Sequence, residues 1–232
     1  MQQNRDSRDH VDHNLSLEEE VVSALDEMAA IVRGLLTHIR LPWLMRYHNH
    51  RVTLALFSFI NSLVSIGIMT TLAGFTSTDL IFPSLGPTAF LFFYNPTAPS
   101  ASPRNTVLGH LIGILMGYLS LVVTGLTAAG PALAIGITAP RIIAVALSLA
   151  LTNGLMVLFN VSHPPAAATT LIISLSIISR PLELVEVMIA VVLLTLQAIV
   201  INRLAGIPYP LWKAEVRKKR SNTNFPPESQ TS

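Results

Sequence analysis

The chain has 232 residues, of which 51% are hydrophobic and only 12% charged, with a formal net charge of +2. Soluble domains usually carry about 25% charged residues, so this composition excludes an ordinary soluble domain and points to an integral membrane protein. The small net charge gives no basis for nucleic-acid binding, and the absence of cysteine excludes disulfides and thiolate metal sites.

Half of the charged side chains fall within residues 1–51. Residues 1–15 read as a disordered polar tail. Asp6, Asp9 and Asp12 argue against a signal or transit peptide, so a bacterial-type inner membrane is the expected location. Ser16 and Glu19 form a capping box that opens an amphipathic helix over 16–41, with Leu17, Val21, Leu25, Met28, Val32 and Leu35 on one stripe. Pro42 is expected to end it. This helix is expected to lie at the cytoplasmic surface, packed on the membrane domain or on a sister subunit. Trp43, Arg46, Tyr47, His48, His50 and Arg51 then make an interfacial belt.

Between Val52 and Asn202 the charged residues are Asp79, Arg104, Arg141, Arg180, Glu183 and Glu186. The apolar runs separating them approach the roughly 20 residues that a membrane-crossing helix needs. Full spans are predicted over 52–74, 105–125, 142–159 and 184–202. Two shorter helices, over 88–94 and 166–178, follow proline-rich stretches. The connection 126–140 is short and apolar. The membrane domain as a whole runs over 42–212, and a basic cytoplasmic tail over 213–232. Lys and Arg are in excess at both ends, which places both termini in the cytoplasm.

The chain resembles two copies of one unit. "SLGPTA" (84–89) stands against "SHPPAA" (162–167), "RVTLALFSFI" (51–60) against "RIIAVALSLA" (141–150), and the run from Pro103 against the run from Ser179. Each copy reads as full helix, proline-broken short helix, full helix. Short helices that re-enter would give four spans and parallel repeats. Short helices that cross would give six crossings and inverted repeats, an arrangement that recurs in secondary transporters. The crossing form is preferred. The expected fold class is therefore an all-α membrane protein with two internal repeats and an N-terminal amphipathic helix.

The proline-rich stretches suggest chemistry. Proline fits the first turn of a helix, where its missing N–H would have no partner. Ser162 is expected to cap a short helix begun by Pro164 and Pro165, and Ser84, Gly86 and Pro87 to begin the other. Helix N-termini at membrane depth attract anions through free N–H groups and the helix dipole. Non-helical backbone there must be buried or line a water-filled cavity. Two facing N-termini would form a pocket from Ser84, Gly86, Pro87, Thr88, Asn160, Ser162, His163, Pro164, Pro165, Ala166 and Thr169. His163 would donate a hydrogen bond and carry a proton near neutral pH. Arg104 and Asn105 read as caps and interface anchors of the following helix, as do Arg141 and Arg180. His110 reads mainly as a structural residue, with a place on the pathway as the other reading. Gly109, Gly113 and Gly117 form a small-residue stripe for close helix packing.

These residues resemble the HPP family of integral membrane proteins, named for the motif standing here as His163-Pro164-Pro165. The family's Pro-Arg-Asn and Gly-His elements correspond to Pro103-Arg104-Asn105 and Gly109-His110, and its Gly-x-(Ser/Thr)-Ala element to Gly86-Pro87-Thr88-Ala89. The resemblance covers roughly residues 50–205. The "AAATT" that follows the prolines departs from the glycine often found there. Family members are described with four predicted spans, and some are implicated in moving nitrite across cyanobacterial and chloroplast membranes. The resemblance thus implies transport of a small monovalent anion such as nitrite. The expected partners are that anion, the lipid bilayer and sister subunits. The alternative is a membrane sensor or scaffold. No cofactor is expected, and no enzymatic activity, because no catalytic triad, metal cluster or phosphate loop is evident.

Overall fold

The computed structural model describes residues 40–214 apart from residue 79. The predicted tail 1–15, nearly all of the 16–41 helix and almost all of the 213–232 tail lie outside the described residues. Within them the protein is all helical: α1 (Leu41–Tyr47), α2 (His50–Thr76), α3 (Leu85–Tyr94), α4 (Pro103–Val123), α5 (Ala132–Ile135), α6 (Ala139–Leu158), α7 (Pro165–Ser174) and α8 (Pro181–Leu204). A 3-10 turn over Pro99–Ala101 precedes α4. Four helices, α2, α4, α6 and α8, are long and apolar enough to cross a membrane.

Local sequence explains most helix ends. Arg40 is extended and Pro42 stands in the first turn of α1, so Pro42 opens a short helix. The Asn49 side chain accepts from Arg51 N and Val52 N, which starts α2 two residues earlier than its apolar run. The Ser102 side chain accepts from Asn105 N and Pro103 follows it, giving α4 a capped start. At the end of α6, Asn160 adopts a left-handed conformation (φ 52°), and Val161 N reaches back to Met156 O at 2.8 Å. That is the helix stop for which asparagine is the usual substitute for glycine. Glu183 accepts from Ser179 N and Arg180 N at 3.0 Å, fastening the start of α8.

Long, short and long helices follow in that order twice, as α2–α3–α4 and as α6–α7–α8. The third helix of each set packs on the first two of the other: α4 lies against α6 and α7, and α8 against α2 and α3. The α4–α7 contact is the closest. A Cβ on Gly109 would stand 2.8 Å from His163 Cβ, and one on Gly113 only 2.7 Å from Ala166 O. Glycine is needed there because the two backbones nearly touch.

The interior has two characters. Around α3 and α8 it is apolar, with Leu85, Ala89, Phe92, Phe93, Val191, Leu194 and Ala198 buried together. Phe92 meets Tyr209 edge-on at 6.2 Å, and the buried Tyr209 hydroxyl donates to Ala101 O at 2.5 Å. Between α4, α6 and α7 the buried set is polar: Thr106, His110, Ser148, Thr152, Thr169, Thr170 and Ser174.

Candidate functional site

The site forms where α7 begins. Helix α6 stops at the left-handed Asn160 and two consecutive prolines begin α7, so the chain reverses through residues 159–164 and α7 returns beside α6. His163 stands at this reversal and turns its ring inward. It is fully buried, as is His110 of α4. The two rings meet with their Nε2 atoms 3.2 Å apart. His163 Nδ1 lies 2.8 Å from Ser100 O and 3.4 Å from Thr106 Oγ1. His110 Nδ1 lies 2.7 Å from Thr169 Oγ1. Thr88 Oγ1 is 3.1 Å from His110 Nε2 and 3.4 Å from His163 Nε2.

These partners fix the protons. A carbonyl oxygen only accepts, so His163 Nδ1 carries a hydrogen and donates to Ser100 O. In neutral His163 the Nε2 atom is then an acceptor. His110 must therefore donate from its own Nε2, since two lone pairs would otherwise oppose each other across 3.2 Å. His110 Nδ1 is left to accept from the Thr169 hydroxyl. The Thr88 hydroxyl donates to Ser84 O at 2.9 Å, which leaves its oxygen free to accept from His110. Every buried polar atom of the pair has a partner, as burial in an apolar surround requires.

On the outer side of His163 lies an open cavity of about 470 Å³, lined by Asn153, Met156, Val157, Asn160, Val161, Ser162, His163, Pro164 and Ala167. The guanidinium of Arg104 stands next to it. Arg104 Nη1 donates to Asn105 Oδ1 at 3.0 Å and to Asn160 O at 3.2 Å, and Nη2 to Phe159 O at 3.4 Å. Asn105 Nδ2 donates to Pro99 O at 3.0 Å and to Ser162 O at 3.5 Å. A second hollow of about 520 Å³ lies along α2 between Leu63 and Phe75. It is apolar, and Thr71 there turns its hydroxyl back onto Gly67 O, so it offers nothing to hold an anion.

The cavity sits at the positive end of the α7 dipole, but not among free N–H groups. Pro164 and Pro165 have none, Ala166 N bonds His163 O, and Ala167 N bonds Pro164 O, each at 3.0 Å. Ser162 does not cap α7. It is exposed, and the N-cap position is Pro164. Ser84 occupies the N-cap position of α3 but makes no side-chain cap bond, and its buried hydroxyl has no partner among the described residues. Gly86 and Pro87 are exposed. Of the α3 residues expected in the pocket, Thr88 alone reaches the histidines, and it joins His163 and Thr169 there. Ala166 packs against Gly109 and Gly113.

Arg104 was expected to cap its own helix. Instead Ser102 caps α4, and Arg104 serves the C-terminal carbonyls of α6. Arg141 likewise does not sit at an interface. It is 1% exposed and donates to Ser174 O at 2.9 Å, Ser176 Oγ at 2.7 Å and Gly130 O at 3.0 Å. It thereby closes the C-terminal end of α7, where a cation suits the dipole. Arg180 is an anchor at the surface, 3.8 Å from Glu183. Sequence reasoning missed Ser100, Thr106 and Asn153. Asn153 carried a usable signal, since it is an amide within a predicted apolar span.

The transmembrane region of the HPP family matches residues 47–210, more than half of the chain. The chain belongs to the HPP family. A transmembrane protein of Dictyostelium discoideum is 28% identical over 139 residues, covering 58% of this chain and 45% of that protein. The HPP chain thus spans less than half the length of the curated relative it matches. No solved structure matches it. The His-Pro-Pro element that gives the family its name is the turn that places His163 between the cavity and His110, and the Gly-His element supplies both the close approach of α4 and the second imidazole.

Proposed function

We propose that this HPP protein carries a small monovalent anion, nitrite foremost, across the inner membrane of a bacterial-type cell, and that it is not an enzyme. One observation carries the reading: a cavity between the end of α6 and the start of α7 has the positive end of α7 and the amides of Asn153 and Asn160 around it and the Arg104 guanidinium beside it, and no carboxylate lines it. Such a site favours one negative charge over a cation. Nitrite is chosen on the family resemblance. We place both termini in the cytoplasm on the Lys and Arg excess at the ends of the chain. We also propose a homo-oligomer. Asn153 is exposed five residues before the end of α6, where lipid would leave its amide unsatisfied.

The test is flux into liposomes holding the purified full chain, with nitrite, nitrate, formate and chloride compared at two pH values. Selective nitrite entry is expected. Entry of none of the four overturns the reading and favours a sensor or scaffold.

A further inference from the structure

The hydrogen bonds around His110 and His163 leave room for one more proton, and only one. In the neutral pair the hydrogens sit on His163 Nδ1 and His110 Nε2. The single open acceptor is His110 Nδ1, which faces Thr169 Oγ1 at 2.7 Å. A proton arriving there needs only that the Thr169 hydroxyl rotate from donor to acceptor. The central hydrogen can then cross the 3.2 Å between the Nε2 atoms, and the positive charge moves from His110 to His163 beside the cavity. A second proton would set two N–H groups against each other across that gap.

Among the described residues the surroundings supply no counter-charge. The pair touches α3 through Thr88, the 3-10 turn through Ser100, α4 through Thr106 and α7 through Thr169. The titratable and charged groups on these elements, and on α6 packed behind them, are Tyr94, Arg104, Tyr118 and Arg141, with no carboxylate among them. On α8, Arg203 lies at the near end. Glu183 and Glu186 lie at the far end, at least sixteen residues before Asn202, which bonds α3 at Phe92 O. At 1.5 Å per helical residue that is about 24 Å away. Among the described residues the nearest fixed charges are therefore cationic, and none of them compensates a proton on the pair.

We propose that the His110–His163 pair binds one proton, and that this proton and an anion in the adjoining cavity each strengthen the binding of the other. The proposal rests on the anion reading above and adds its coupling ion. Reciprocity is required: whatever factor the anion adds to proton affinity, the proton adds to anion affinity. The anion supplies the negative charge that the described surroundings lack, and His163 is the one of the two imidazoles that borders the cavity.

The experiment is nitrogen-15 NMR of histidine-labelled full-length protein in lipid bilayers, with the two rings assigned through His110→Gln and His163→Gln. At high pH the expected state is His163 protonated at Nδ1 and His110 at Nε2. Acidification adds one proton to the pair. Saturating nitrite raises the midpoint of that step by about one to two pH units, matching roughly 10- to 100-fold tighter nitrite binding below it. Thr169→Val, which removes the hydroxyl at the point of entry, weakens proton uptake, and Thr169→Ser restores it. Two independent titrations, or a midpoint unmoved by nitrite, nitrate, formate and chloride alike, would overturn the proposal. The outcomes separate the two claims. Nitrite flux with an unmoved midpoint leaves the anion reading standing and removes the coupling. A moved midpoint without flux keeps the coupled site and removes transport.

Discussion

Replacing Gly113 by alanine tests the backbone contact on which the site depends. The added Cβ would lie 2.7 Å from Ala166 O and 2.9 Å from Thr170 Oγ1. Ordinary contact begins near 3.4 Å, so α4 and α7 must part by about 0.7 Å at this level. Thr170 can rotate, but Ala166 O belongs to the backbone and cannot. Overpacking of this kind costs about 1–3 kcal/mol, and a destabilisation of that size lowers the melting midpoint by roughly 3–10 °C in a domain this large. The same parting acts one turn away. The bond from Thr170 Oγ1 to Gly113 O and the contact between the histidine rings are both 3.2 Å. An extra 0.7 Å takes either beyond hydrogen-bond range. Gly113→Ala is therefore expected to melt earlier and to lose anion uptake. Gly67→Ala and Gly86→Ala are the controls, because a Cβ at either meets nothing within 4 Å. Melting followed by tryptophan fluorescence, together with liposome flux, measures both effects. A Gly113→Ala protein with wild-type melting and wild-type flux would refute the close-contact argument.

Other changes separate stability from binding. Arg141→Met leaves two buried carbonyls and the Ser176 hydroxyl without their donor, at about 1–3 kcal/mol each. It is expected to cut the amount of folded protein in the membrane severely, and Arg141→Lys to recover only part of the loss, since one ammonium cannot copy the guanidinium fork. Arg104→Ala removes the cation beside the cavity and should weaken apparent nitrite affinity by about tenfold, with Arg104→Lys intermediate, as read from the concentration dependence of flux. Burial pushes the Tyr209 phenol above its usual range. The unfolded chain then ionises first, so stability is present below about pH 10 and is lost as pH rises beyond it. Tyr209→Phe should melt lower at neutral pH, by the loss of one buried hydrogen bond, yet show a weaker decline at alkaline pH, as a melting series against pH would record.

Much of the architecture was readable from the chain because apolar runs and prolines are local signals. The spans appear within about three residues of their predicted ends, and both short helices start in the first turn that their prolines allow. The N-terminal ends were the least accurate. Asn49 and Ser102 start their helices through side-chain caps that lie outside the hydrophobic run. The site was only half legible. The His-Pro-Pro turn marked His163, but its partner His110 lies 53 residues away, and no pattern within one helix joins them. The arginines misled for the same reason. Each lies near a helix start, where a basic residue reads as an anchor, yet Arg104 and Arg141 reach across to the carbonyl ends of other helices. Long side chains are satisfied by distant partners that local sequence does not name.

The two halves share an order of helices but not a lining, and that difference locates the chemistry. Helix α3 buries Leu85, Ala89, Phe92 and Phe93, whereas α7 buries Thr169, Thr170 and Ser174. Helix α8 turns Val187, Val191 and Leu194 inward, where α4 presents Thr106, His110 and Gly113. Two facing N-termini of equal role, as expected from the similar motifs, are therefore not what the fold contains. The α3 side contributes one hydroxyl, Thr88, and otherwise supplies an apolar wall; the α7 side holds both the cavity and the imidazoles. An apolar wall excludes water behind the pair and strengthens every charge interaction in front of it. On this argument Thr88→Val should disturb the histidines' protons and lower the melting midpoint only modestly, because valine keeps the shape and the cost is confined to the Ser84 carbonyl, which loses its hydroxyl donor, and to His110 Nε2, which loses one of its two acceptors. Retained proton positions in Thr88→Val, seen by the same histidine NMR, would show that the α3 half takes no part in the site at all.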